Sequence, residues 1–213
     1  MAGENIHLQA DQFDFTLSHD GGVFFITLVS EDGMHRLTRK RIIALDEEIR
    51  NMSSLDAPVL PLVLSGERNF SVGADLNEIR QLSGPDALEF AHLGQSLMQA
   101  LETYPATTIA AIEGHCMGGG LDLALACHRR IAAPGAVFGH RGAALGLITG
   151  WGGTQRLPRL IGKGRALELF VAAEKVSAAR ALEVGLIDAI AADPAAEALR
   201  QLTTNNLPAE SNL

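Results

Sequence analysis

The stretch His115-Cys116-Met117-Gly118-Gly119-Gly120-Leu121-Asp122 decides how this chain is read. Just before it, Thr108-Ile109-Ala110-Ala111-Ile112 is a short apolar run of the kind that forms a buried strand. Just after it, Leu121 to Cys127 is apolar and alanine-rich, which predicts a core helix. Three glycines at such a junction let a ligand approach the backbone with no Cβ in the way. A helix that starts there aims unpaired N–H groups, and the positive end of its dipole, at whatever lies above it. That arrangement suits an oxyanion. Asp122 falls in the first helical turn, close enough to act on the same ligand.

The rest of the chain alternates short strands with helices. Phe13-Asp14-Phe15-Thr16-Leu17 and Val23-Phe24-Phe25-Ile26-Thr27-Leu28 flank the turn His19-Asp20-Gly21-Gly22 and read as a hairpin. From Thr38 the spacing becomes helical, with Leu37, Ile42, Leu45 and Ile49 on one face. Leu60 to Gly66 reads as a buried strand that ends in a turn. Pro85 to Tyr104 reads as a long helix with Asp86 and Glu89 in its first turn. Arg130–Ala133 and Ala136–Phe138 suit short strands around Pro134-Gly135. Ser177 caps a helix over Ala178 to Val184, Gly185 stops it, and Leu186–Ile190 reads as a last strand. A short helix fits beyond Asp193. Such repeating β-β-α units predict an α/β fold with a stacked, spiral core.

Composition limits the possible functions. The chain has 213 residues, of which 47% are hydrophobic and 20% charged, the balance of a globular protein. One domain over residues 1–213 is expected, its core running from about 13 to 190 and a loose polar tail from about 203 to 213. No segment approaches the roughly 18 continuous apolar residues of a membrane span. No secretory signal is visible, and Cys116 and Cys127 read as buried thiols of a reducing compartment, so a cytoplasmic protein is expected. The net charge of −8 argues against nucleic acid as a partner. Arg36, Arg39, Lys40 and Arg41 form a local basic patch in sequence that an anionic small ligand could use. The seven histidines show no metal-ligand spacing, and the glycine run lacks the Gly-x-Gly-x-x-Gly form of a dinucleotide site.

Four segments, in one order and spacing, resemble the crotonase superfamily, the enoyl-CoA hydratase/isomerase group. They are Gly66 to Leu76, with Val72-Gly73-Ala74-Asp75 at its end; Ile112 to Ala124; Phe138-Gly139-His140 with Leu145-Gly146-Leu147 and Gly150-Trp151-Gly152-Gly153-Thr154-Gln155-Arg156-Leu157; and Ala178 to Ile187. The resemblance runs from about Val23 to Ile190. It implies a crotonase-like spiral whose C-terminal helical region is shortened relative to the family. It also implies an acyl-CoA or enoyl-CoA substrate, with coenzyme A entering as part of the substrate and no other cofactor or metal. A homo-oligomer, trimer or hexamer, is implied too, without membrane or nucleic-acid partners.

By motif, the backbone N–H groups of Ala74 and Gly119 map to the family's oxyanion hole. Removing one such donor typically costs about 3–4 kcal/mol of transition-state stabilisation. Asp122 maps to the first of the two glutamates a hydratase uses, and its tip is about 1.5 Å shorter, a displacement to which catalysis is sensitive. The second glutamate maps to Gly142, which cannot transfer a proton. Asp122 is therefore expected to be the lone acid/base, and isomerase, decarboxylase or hydrolase chemistry fits better than efficient hydration.

His140 is a further candidate acid/base. A strand alternates its faces, so only one of His140 and Arg141 can easily point inward. Asp75 is expected to brace the oxyanion loop by accepting backbone hydrogen bonds. Val72, Gly73, Leu76, Gly118, Gly142 and Trp151 are expected around the substrate. His35 and Arg36 stand where the family meets coenzyme A. The alternative is a non-catalytic acyl-CoA-binding or assembly protein that keeps the pocket without the chemistry.

Overall fold

The computed structural model describes residues 14–54 and 58–204. Phe13 and residues 205–213 of the expected tail lie outside them, whereas Thr203 and Thr204 belong to the last helix. In chain order the elements are β1 (Phe15–Asp20), β2 (Val23–Leu28), β3 (Arg36–Leu37), α1 (Arg39–Ser53), β4 (Leu62–Gly66), β5 (Gly73–Ala74), α2 (Leu76–Ile79) and α3 (Gly84–Glu102). They continue with β6 (Thr108–Ile112), β7 (His115–Met117), α4 (Gly119–Ala126), β8 (Arg129–Ala132) and β9 (Val137–Gly139). A short 3₁₀ helix (Ala143–Leu145) follows, then α5 (Gly153–Ile161), α6 (Lys163–Ala172), β10 (Val176–Ser177), α7 (Ala178–Glu183), β11 (Ala189–Ile190) and α8 (Pro194–Thr204).

Six strands form the main sheet in the order β1-β2-β4-β6-β8-β11. The hairpin β1–β2 is antiparallel, with Phe15 opposite Leu28, and every later pairing in this sheet is parallel. The partner strand of each unit lies elsewhere: β3 pairs with β5, and β7 with β9, both parallel, while β10 adds antiparallel to β9. The chain therefore lays one strand of each unit in the main sheet and one outside it, then returns through a helix. This is the repeated β-β-α spiral.

Alternation along the strands sorts the core onto two faces. Val23, Val63, Ile109, Ala111 and Ile131 pack with Ala198 and Leu202 of α8 on one side. Ile26, Leu62, Leu64, Ala110, Ile112 and Ala132 pack on the other, where α1, α3 and α4 lie. Thr38 caps α1 by accepting from the Arg41 N–H, and Ile42, Leu45, Ile49 and Met52 form its buried stripe. Ser83 and Asp86 form a reciprocal capping box at the start of α3, with proline in the first turn. Helix α4 is buried from Gly120 to Ala126, the environment its sequence, apolar except for Asp122, calls for. The strand expected over Leu186–Ile190 is confined to Ala189–Ile190, because Leu186 N–H bonds back to Ala181 at the end of α7.

Candidate active site

Two loops from different units meet at the start of α4. Gly73 has φ +91°, and a Cβ there would stand 2.7 Å from the Gly119 nitrogen and 2.7 Å from the Met117 oxygen. Only glycine lets the Val72–Ala74 segment close on the glycine run. Gly118, at φ +52° with no side-chain cap, makes the reversal that opens α4 at Gly119. The first N–H groups of a helix have no intrahelical acceptor, so Gly119 presents one together with the dipole. Ala74 and Gly119 keep partial exposure beside the buried Gly73 and Gly120. Asp75 accepts from the N–H groups of Asn77 (2.7 Å) and Glu78 (3.3 Å), so it caps α2 and braces the loop behind Ala74. Leu76 is exposed at the start of that helix.

Trp151 walls this junction. Its indole is buried between two glycines: a Cβ at Gly94 of α3 would lie 2.2 Å from Cδ1, and one at Gly119 would lie 2.2 Å from Cζ3. The indole N–H donates to the Phe90 carbonyl at 3.3 Å, and the two rings meet edge to face at 5.4 Å.

Asp122 lies one turn into α4 and is buried, with 1% exposure. Its Oδ2 accepts a hydrogen bond from the Thr149 hydroxyl. Its Oδ1 stands 3.1 Å from Nε2 of His140, whose side chain is also buried. Arg141, next in the chain, is exposed, as strand alternation predicts for one of the pair. The carboxylate therefore has two polar neighbours, the Thr149 hydroxyl and the His140 ring. Beside it lies a cavity of about 500 Å³ lined by His140, Gly142, Leu147, Thr149, Phe170 and Val171, among others. At Gly142, one of the lining residues, a Cβ would meet the Leu147 oxygen at 2.7 Å.

The expected coenzyme A contacts do not assemble as read. His35 is wholly buried; its ring meets the Ser30 hydroxyl at 2.9 Å and the Glu67 carbonyl at 2.8 Å, so it ties a loop to the end of β4. Burial pushes its pKa below the ordinary histidine value. The basic run is dispersed: Arg36 pairs with Asp32, Arg39 with Glu89, and Arg41 is buried, donating to the carbonyls of Arg36 and Val29. Arg36 alone of the two named contacts stays at the surface. Thr149 was not singled out from sequence; a lone threonine in a loop carries no signal until the fold brings it to Asp122. Cys116 is buried and its thiol is pushed well above the usual range by desolvation, which removes it as a nucleophile.

The sequence profile of enoyl-CoA hydratase/isomerase matches residues 26–206. The chain belongs to that family. Within it, the chain is 47% identical over 142 residues to a "probable enoyl-CoA hydratase" of Bacillus subtilis, covering 66% of this chain and 55% of that protein. It is 36% identical over 160 residues to a crotonyl-CoA hydratase of Syntrophomonas wolfei, covering 74% and 61%. The chain thus spans less than two thirds of the length of these curated relatives. Among solved structures it resembles DspI of Pseudomonas aeruginosa, with a TM-score of 0.85 and 32% identity over 96% of this chain and 77% of that one. The enoyl-CoA hydratase of Bacillus anthracis gives a TM-score of 0.84 and 32% identity over 90% and 77%. No helix among the described residues is long and apolar enough to cross a membrane.

Proposed function

We propose that this member of the enoyl-CoA hydratase/isomerase family is an acyl-CoA thioester enzyme that stabilises a thioester enolate. The N–H groups of Ala74 and Gly119 receive the carbonyl oxygen, and proton transfer is centred on Asp122. The observation that carries this reading is the closure of Gly73 against the Gly119 nitrogen, which joins the two donor loops beside a buried carboxylate. Donors fixed in backbone need no reorganisation when charge develops on the oxygen. The names of the relatives support acyl-CoA as the substrate class, with coenzyme A carried by the substrate.

Within that class, isomerase, decarboxylase or hydrolase chemistry is favoured over efficient hydration. Addition of water in this family needs a second carboxylate, and glycine occupies its place at 142. A homo-oligomer is part of the same proposal.

The test is deuterium exchange at the α-carbon of a panel of acyl- and enoyl-CoA thioesters in D₂O, with Asp122→Asn alongside and mass detection of products. Exchange that falls at least about 10²-fold in the variant supports enolate chemistry, since general acid/base groups contribute at that scale. A second reading, a non-catalytic acyl-CoA binder, is favoured by Gly142 alone. Tight thioester binding with neither exchange nor turnover would establish it in place of the first.

A further inference from the structure

The cavity of about 500 Å³ is lined by His140 and Thr149, but not by Asp122. The carboxylate lies behind both of them. Its Oδ2 is occupied by the Thr149 hydroxyl and its Oδ1 faces His140 Nε2 at 3.1 Å. These two facing atoms are sealed from solvent, and neither makes an aligned hydrogen bond among the described residues. The other ring nitrogen of His140, Nδ1, is not sealed in this way and has no hydrogen-bond partner there. The ring itself is held against Phe170, centroid to centroid at 5.0 Å. One imidazole nitrogen therefore looks back at a buried carboxylate, and the other keeps some exposure on a ring that lines the cavity.

We infer that His140 is the group that exchanges the proton with substrate in this site, and that Asp122 is its positioning residue. The inference rests on the enolate reading above and assigns its proton carrier. A carboxylate facing Nε2 favours the tautomer with the proton on Nε2, which leaves Nδ1 as the acceptor. In the step, Nδ1 takes the α-proton of the thioester. The C–H bond breaks, its electron pair moves onto the carbonyl oxygen, and the Ala74 and Gly119 N–H groups hold the resulting enolate. The imidazolium, steadied by Asp122, returns the proton to the α-carbon, which gives exchange, or to the γ-carbon of a β,γ-unsaturated thioester, which gives double-bond isomerisation. No co-reactant is required.

The separation also bears on the alternative. Two groups that share a water through hydrogen bonds of about 2.8 Å stand roughly 4.5 Å apart. Asp122 and His140 are closer than that, so no water fits directly between the facing atoms, and direct proton sharing is favoured over water addition. Catalytic hydrogen bonds without substrate are often misaligned and tighten when it binds. The other ionisable side chain lining the cavity is Lys163 of α6.

The experiment compares α-deuterium exchange by wild type, His140→Gln, His140→Ala and Asp122→Asn across pH 5 to 9, with far-UV circular dichroism and melting curves to establish that each variant is folded. We expect His140→Gln to fall by about 10²–10⁴-fold and to lose the wild-type pH dependence in that range. Added imidazole should restore part of the exchange in His140→Ala, which a packing role would not allow. In Asp122→Asn, nitrogen-15 shifts of His140 should report a changed tautomer alongside slowed exchange. If wild type exchanges and His140→Gln keeps within about twofold of it, the proton carrier is not His140 and this inference is overturned while the enolate reading stands. If wild type exchanges no thioester at all, the enolate reading fails, and this inference fails with it.

Discussion

Gly94→Ala is the substitution whose sign depends most directly on the packing of Trp151. Gly94 lies in the middle of α3, where alanine is the better helix former by about 0.8–1 kcal/mol. Considered as a helix residue alone, it should gain stability on substitution. The structure predicts the opposite. The new Cβ would stand 2.2 Å from both Cδ1 and Nε1 of Trp151, well inside contact distance. The indole cannot retreat, because its other edge is already against Gly119.

Overpacking of this kind costs about 1–3 kcal/mol. Loss of the indole N–H bond to the Phe90 carbonyl adds about 0.5–1.5 kcal/mol. After the helix gain is subtracted, the net loss is about 0.5–3.7 kcal/mol. For a chain of this length that lowers the melting temperature by roughly 3 °C per kcal/mol. The assay is urea or thermal unfolding of Gly94→Ala, Trp151→Ala and the double variant. With the indole removed, Gly94→Ala should turn neutral or stabilising by up to about 1 kcal/mol, so the two changes are strongly non-additive. A Gly94→Ala single variant more stable than wild type would refute the reasoning.

Two further outcomes follow from burial. Burial pushes the Cys127 thiol up to about 12 and the Cys116 thiol well above its usual range, so neither should react with a disulfide reagent at pH 8 until denaturant is added; rapid labelling of the native chain would contradict this. Burial lowers the His35 pKa below 6.5, so the neutral ring is the folded form, its contribution is present above about pH 6.5 and is lost as pH falls. The melting temperature should therefore drop from pH 7 to 5, and less steeply in His35→Gln; equal slopes would remove His35 as the cause.

The strands and long helices were legible because each carries a local signal. The stripe Ile42, Leu45, Ile49 marked α1, Ser83-Gly84-Pro85-Asp86 opened α3, and the apolar run after Gly120 marked α4. The two loops that meet at the start of α4 were legible as glycine-bearing segments because glycine is required where they touch. What failed was the basic run at 36–41. Charge in sequence does not say whether a guanidinium meets water, a carboxylate or a buried carbonyl, and Arg41 meets two carbonyls. His35 failed for the same reason, since only the fold places Glu67 and Ser30 on its two nitrogens. The Thr149–Asp122–His140 cluster joins residues from three segments. Its members could be suspected singly, but their contact depends on how α5 turns back over α4.

The two donors proposed for the oxyanion, at Ala74 and Gly119, belong to separate turns of the spiral, one carried by β5 and the other by the step from β7 into α4. Neither β3–β5 nor β7–β9 pairing alone builds the anion site, and no contiguous fragment short of both can bind through it. Recovery of thioester binding during refolding should thus lag behind the appearance of helical signal. The site then serves as a timer for the docking of these two turns of the spiral against each other.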